Sequence, residues 1–175
     1  MIAYCGPAAV PADLWVRWNF DPLMIAAFAI LALAVIFGRS VAPRAGWGAV
    51  TLLFVIFVSP LCALSSALFS VRVFHHVLLV AAVAPLLAVA LPLRRAGSPP
   101  LSALVVVHAV ILWLWHAPGA YAWGVATVPA YWLMQGSLLG SAWLMCGGYW
   151  RRRRSRARRW WGSWQPSAKW AFSAR

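Results

Sequence analysis

Two carboxylates, Asp13 and Asp21, serve a chain of 175 residues. Charged residues make up 10% of it and hydrophobic residues 64%. A soluble domain usually carries about 25% charge to cover its surface. A chain this poor in charge cannot wet a globular surface, which all but excludes a soluble enzyme. The formal charge of +13 does not point to nucleic acid either. Of the fifteen basic residues, nine follow Tyr149: Arg151 to Arg154, Arg156, Arg158, Arg159, Lys169 and Arg175. The others stand singly or as one pair between apolar runs. That layout is a polytopic membrane protein with a basic tail.

A span needs roughly 20 mostly apolar residues to cross about 30 Å of hydrocarbon. Five segments approach this: Pro22–Phe37, Trp47–Leu64, Val73–Leu91, Leu101–His116 and Ala130–Tyr149. Backbone amides in lipid must pair within their own segment, so the spans are helices. The sequence thus predicts an all-α, polytopic transmembrane bundle of about five spans. Residues 1–20 form an outward-facing N-terminal segment, 21–150 the bundle, and 151–175 a disordered, Arg/Trp-rich cytoplasmic tail. Pro60 and Pro85 are expected to kink their helices. Arg39, Arg44, Arg94, Arg95 and the arginine cluster occupy alternate linkers and the tail. The positive-inside bias places these in the cytoplasm and the N-terminus outside. The linker 117–129 is uncharged. The first twenty residues lack the basic start and continuous apolar core of a cleavable signal.

With that orientation, scattered polar residues converge on one leaflet. Span two brings Cys62 there, span three His75 and His76, and span four His116. Span five adds Tyr131, Met134 and Gln135, and span one adds Asp21 and Met24. His108 lies eight residues before His116, about 12 Å deeper. Ligating groups within lipid are costly and commonly functional. Imidazole with thiolate and thioether favours copper, above all the cuprous ion, over magnesium or calcium. Plainer readings stand beside these. One of His75 and His76 can simply reach the headgroups, because adjacent helical residues diverge by about 100°. His116 can bond a free helix-end carbonyl, and His108 can be a core histidine bonded to a neighbouring helix. Cys62, Met24 and Met134 can be packing alone. The three cysteines, Cys5, Cys62 and Cys146, show no paired motif, so a structural disulfide is not expected.

Certain blocks resemble a known family. Leu68-Phe69-Ser70, His75-His76-Val77-Leu78-Leu79, Ala84-Pro85-Leu86-Leu87 and Leu91-Pro92 are similar to the central signature of the CtaG family of cytochrome c oxidase assembly proteins. Trp113-Leu114-Trp115-His116-Ala117-Pro118 with Tyr121 resembles its second signature, and Asp21-Pro22-Leu23 its usual opening. The likeness covers about residues 21 to 150. It implies a multi-pass protein of the bacterial inner membrane that supports copper insertion into the haem-copper oxidase. Its implied partners are oxidase subunits and membrane lipid, with no nucleic acid. His76 and His116 fall on the family's motif histidines, with His75 and Cys62 as possible further copper ligands. Arg72 stands where many relatives carry another histidine, and Tyr131 and Gln135 where relatives often do. Relatives also continue with at least one more span.

Two other functions remain open: a membrane haem-b carrier ligated by two histidines, and a small-solute or ion transporter. An enzyme is disfavoured, since there is no nucleophile–base–acid arrangement and no spare carboxylate. The tail is also compatible with a shifted reading frame. Trp170-Ala171-Phe172-Ser173 can be encoded TGG GCC TTC TCG. Preceded by A and read one base earlier, this gives Met-Gly-Leu-Leu. Translation of the gene in its other frames is then expected to yield an apolar run of about 18 residues; two frames without one dispose of the idea.

Overall fold

The computed structural model describes residues 4–38, 40–92 and 99–164, with side chains through 153. Arg39, Arg94 and Arg95, and the residues 170–173 of the reading-frame argument, lie outside these. Among the described residues the secondary structure is entirely helical. After a short 3-10 turn at Leu14–Val16 come α1 (Pro22–Ile36), α2 (Pro43–Phe57) and α3 (Leu61–Ala67). Then follow α4 (Phe69–Leu78), a π-helical turn (Leu79–Val83), α5 (Ala84–Ala90), α6 (Leu101–His116), α7 (Pro118–Ala126) and α8 (Val128–Trp164).

Proline punctuates the chain. Pro22, Pro43 and Pro118 each open a helix, where the missing N–H is no loss and the fixed φ suits the first turn. Asp21 caps α1 by accepting the Leu23 amide at 2.8 Å, and Gly38 follows that helix at φ +73, the left-handed turn that glycine makes without strain. Pro60 breaks the second expected span, so that α2 and α3 meet at 47°. The Ser59 hydroxyl donates to the Val55 carbonyl (2.5 Å) and covers part of the broken ladder. Pro85 acts differently. Instead of a sharp kink, the turn before it widens into Leu79–Val83, giving its ring room within a continuous α4–α5 rod.

Among the described residues one helix, Phe69–Ala90, is long and apolar enough to cross a membrane, and the two bent pairs α2/α3 and α6/α7 raise the number to as many as three. With 15 residues, α1 reaches only about 22 Å. The outer surface agrees with an apolar surround: Ile30, Leu33, Phe54, Phe74, Val77, Val106, Val110 and Leu133 are all exposed. The linker expected at 117–129 is instead mostly α7, turned 78° from α6. The disordered tail expected over 151–175 is corrected as far as 164, and 165–175 lie outside the described residues. Over 151–164 the chain continues α8, which has 37 residues. Arginine is a good helix former, and the preceding turns already supply the costly nucleus.

The core joins α2, the π turn, α5 and α8 through Leu53, Ile56, Phe57, Leu79, Val83, Leu87, Met134 and Leu138, with Met24 and Trp115 added from α1 and α6. Polar ties lock α6 to α8. The Trp115 indole donates to Ser137 Oγ (2.8 Å), and Ser137 donates onward to the Met134 carbonyl (3.0 Å). One turn along, Ser141 donates to the Leu138 carbonyl (3.2 Å). Its oxygen is thus the acceptor for His108 Nδ1–H at 2.9 Å. His108 is therefore the core histidine of the plainer reading.

Close approach of α1 to α2 rests on Gly46, where an added Cβ would meet Val35 Cγ2 at 2.7 Å. Val35 is branched and stiff, so it cannot swing aside. Gly46→Val is expected to destabilise by about 1–3 kcal/mol, measured as a lower melting temperature in detergent. Gly136→Ala, with nothing within 4 Å, is expected to leave it unchanged or raise it.

Candidate functional site

The residues before α1 fold back over one end of the bundle. The Asn19 amide donates to the Val58 carbonyl at 2.9 Å. The Tyr4 hydroxyl donates to Asp21, and its ring stacks on Tyr131 with centroids 4.5 Å apart. This return brings Cys5 and Cys62 to a Cα separation of 5.4 Å, and the two are joined by a disulfide. The expectation of unpaired cysteines is therefore corrected. The partners lie 57 residues apart, and only the fold-back brings them together. In this state Cys62 offers no thiolate, so the sequence-based ligand role does not apply to it here.

Below this clasp, α4 carries the adjacent histidines, and they part company as helical geometry requires. His75 turns inward and is only 1% exposed, edge-on to Phe57 of α2 at 5.1 Å. Neither of its ring nitrogens has a hydrogen-bond partner. A buried polar atom left unpaired costs about 1–3 kcal/mol, so this is an unusual imidazole. His76 is half-buried and accepts from Gln135 Nε2 at 3.4 Å.

His116, the last residue of α6, is exposed. Its Nδ1 lies 2.6 Å from the Leu112 carbonyl. A carbonyl only accepts, so Nδ1 carries the hydrogen and Nε2 keeps its lone pair. The helix-end bond of the plainer reading is thus present, and it leaves the outer nitrogen able to ligate. The ring centroids of His76 and His116 are 6.2 Å apart. Two imidazoles sharing one metal at about 2 Å per bond also have centroids about 6 Å apart. His75 and His76 are separated by 5.8 Å. Among the described residues no group of three or more His, Cys, Asp or Glu forms a metal cluster. His75, His76 and His116 are therefore a chain of neighbouring rings, and with Cys62 they do not form one four-ligand centre.

Two hollows meet at this chain. The inner, about 10 Å³, is bordered by Cys5, Arg72, His75, His76, Tyr131, Met134 and Gln135, among others. The outer, about 280 Å³, is a groove lined by Phe69, Arg72, Val73, His76, Trp115, His116, Pro118 and Tyr121. His76 and Arg72 belong to both. Arg72 was legible only as a departure from the family pattern. It is a structural strut: its Nε donates to the Ser65 carbonyl at 2.9 Å, and it bonds the Tyr121 hydroxyl while lying 5.3 Å from that ring's centroid. Tyr4 was not singled out, and Cys5 was read only as unpaired, because nothing local in the first residues marks a return to the bundle.

Comparison with protein-family models, with curated proteins and with solved structures finds no match.

The N-terminal clasp has a pH signature. Burial, then the bond to Asp21, hold the Tyr4 phenol well above its ordinary value. A raised folded value means that this stabilisation is complete below the unfolded value, about 10, and is lost as pH rises beyond it. Thermal melts from pH 9 to 11 are expected to show an alkaline decline that Tyr4→Phe flattens.

Proposed function

We propose that this chain is a non-enzymatic assembly factor of the CtaG kind, holding cuprous copper transiently at an extracytoplasmic histidine pair and passing it to cytochrome c oxidase. In this reading the protein is a multi-pass component of a bacterial inner membrane. Five spans are formed from α1, α2/α3, α4/α5, α6/α7 and α8, with the N-terminus outside and the C-terminus in the cytoplasm. The observation that carries the proposal is the pairing of His76 on α4 with His116 on α6 at 6.2 Å. That pair sits beside an open groove, with the outer nitrogen of His116 unengaged.

The chemistry suits a cargo. Two imidazoles give low coordination, which suits copper better than magnesium or calcium and lets an incoming ligand displace either donor. The weak contact from Gln135 orients His76 while the site is free and yields when metal binds. Helices hold the two rings at fixed separation, as facing helices do in bundle metal sites.

The alternatives fit less well. The groove, about 280 Å³, is at the lower limit of ordinary small-ligand sites, about 300–1,000 Å³, and too small to seat a haem. A transport path would need a polar midplane, whereas Leu79, Val83, Leu87 and Leu138 fill the bundle centre.

Deletion of the gene is expected to lower oxidase activity and oxidase-bound copper together, several-fold. Wild type restores both; a variant carrying His76→Ala and His116→Ala does not. Fully active, copper-replete oxidase in the deletion strain would overturn the proposal.

A further inference from the structure

We propose that the hollow between the start of α6 and the arginine turn of α8 seats the phosphate of an anionic glycerophospholipid. The inference owes nothing to copper and rests only on the membrane placement of the bundle proposed above. Position, lining and charge carry it.

Position follows from the register of two antiparallel helices. Trp115 meets Ser137, His108 meets Ser141, and a Cβ added at Gly148 would meet Leu104 and Leu101. Numbers fall along α6 as they rise along α8, so Leu101 lies level with the last apolar turn of α8. With 16 residues, α6 is about 24 Å long, which sets Leu101 at the opposite end of the bundle from His116. Tyr149 and Trp150 stand where aromatic residues mark the edge of hydrocarbon. Arg151 to Arg154 follow at once.

The lining is amphipathic. The hollow, about 230 Å³, is bordered by Leu101, Tyr149, Arg152 and Arg153. Two cations therefore share it with an aliphatic side chain and a phenol ring. Val105, one turn along α6 from Leu101, is exposed, so apolar surface continues toward the middle of the bundle. This composition fits the junction between a lipid phosphate and its acyl chains. A soluble anion would gain nothing from Leu101 or Val105. The Arg153 guanidinium lies 5.6 Å from the centroid of the Trp150 ring. A guanidinium stacked on a ring keeps its donors in its own plane, where they match phosphate oxygens in pairs. The first turn of α6 adds backbone amides, with Pro100 giving no side-chain cap and no acid in that turn.

Charge points the same way. Four successive arginines stand at this level, while the two acidic side chains of the protein are engaged elsewhere. Asp13 pairs with Arg17, and Asp21 takes the Leu23 amide and the Tyr4 hydroxyl. Basic pockets between membrane helices suit anionic lipid headgroups.

The test uses the full chain, first checked for recovery in the membrane fraction and then purified in a neutral detergent. Phosphatidylglycerol or phosphatidylcholine is titrated in, and native mass spectrometry counts the lipid bound. One phosphatidylglycerol is expected to bind on the order of tenfold more tightly than phosphatidylcholine. Glycerol 3-phosphate, a headgroup without chains, is expected not to displace it. Arg152 and Arg153 are exposed, so Arg152→Gln with Arg153→Gln leaves the core intact; it is expected to weaken phosphatidylglycerol on the order of tenfold. Arg156→Gln with Arg158→Gln removes the same charge further along the chain and is expected to leave the affinity nearly unchanged. Melting temperatures are recorded for both variants. Equal affinity for the two lipids, or equal losses in the two double variants, overturns the site and leaves only a diffuse attraction of the basic segment. Displacement by glycerol 3-phosphate overturns the lipid in favour of a soluble phosphate. Recovery of the chain in the soluble fraction overturns the membrane placement itself. None of these outcomes bears on the histidine pair.

Discussion

The structure is organised around the scarcity of carboxylate. Both acids are engaged before the first long helix begins: Asp13 pairs with Arg17 at 2.7 Å, and Asp21 caps α1 while receiving the Tyr4 hydroxyl. Polar groups inside the bundle must therefore be matched by neutral oxygens. Arg72 uses a carbonyl and a phenol, His108 and Trp115 use serine hydroxyls, and His116 uses its own helix. In an apolar surround an unmatched polar atom is expensive, so these bonds fix which helices lie together. The scheme is incomplete at the Trp132 and Trp143 indoles and at Gln135 Oε1, each unserved at one atom, and His75 goes furthest, with both of its nitrogens unserved.

Much of the helical plan was legible because it rests on local rules. Leu101–His116 was read with the limits found, since Pro100 precedes it and Ala117-Pro118 ends it. The inward turn of one of His75 and His76 follows from adjacency alone. The bend at Pro60 follows from a missing amide. In each case the cause lies within four residues of its effect.

The rest depends on distance along the chain or on competing propensities. The bond between Cys5 and Cys62 needs the return of the N-terminal segment, which no local pattern announces. The Ser137 and Ser141 bonds to α6 were missed because serine at helical spacing looks like any small residue. The uncharged stretch after His116 resembled a loop, yet Pro118 opens a helix within it. Arginine repeats looked like a solvated coil, but a helix already under way extends through them to Trp164. Among the sites, His76 and His116 were legible as a pair, whereas their separation from Cys62 by a closed disulfide was not.

The wide turn at Leu79–Val83 has a geometric consequence. A π turn stores one residue more than an α turn, so the rod on one side is wound about 100° out of phase with the rod on the other. The end bearing His75 and His76 can thus face inward independently of how Leu87 and Ala88 meet their neighbours. Removing a single residue from that turn would restore even winding and swing the inward imidazole out of the core. The dihedral slack around one proline thereby sets the bearing of the end that carries the two histidines.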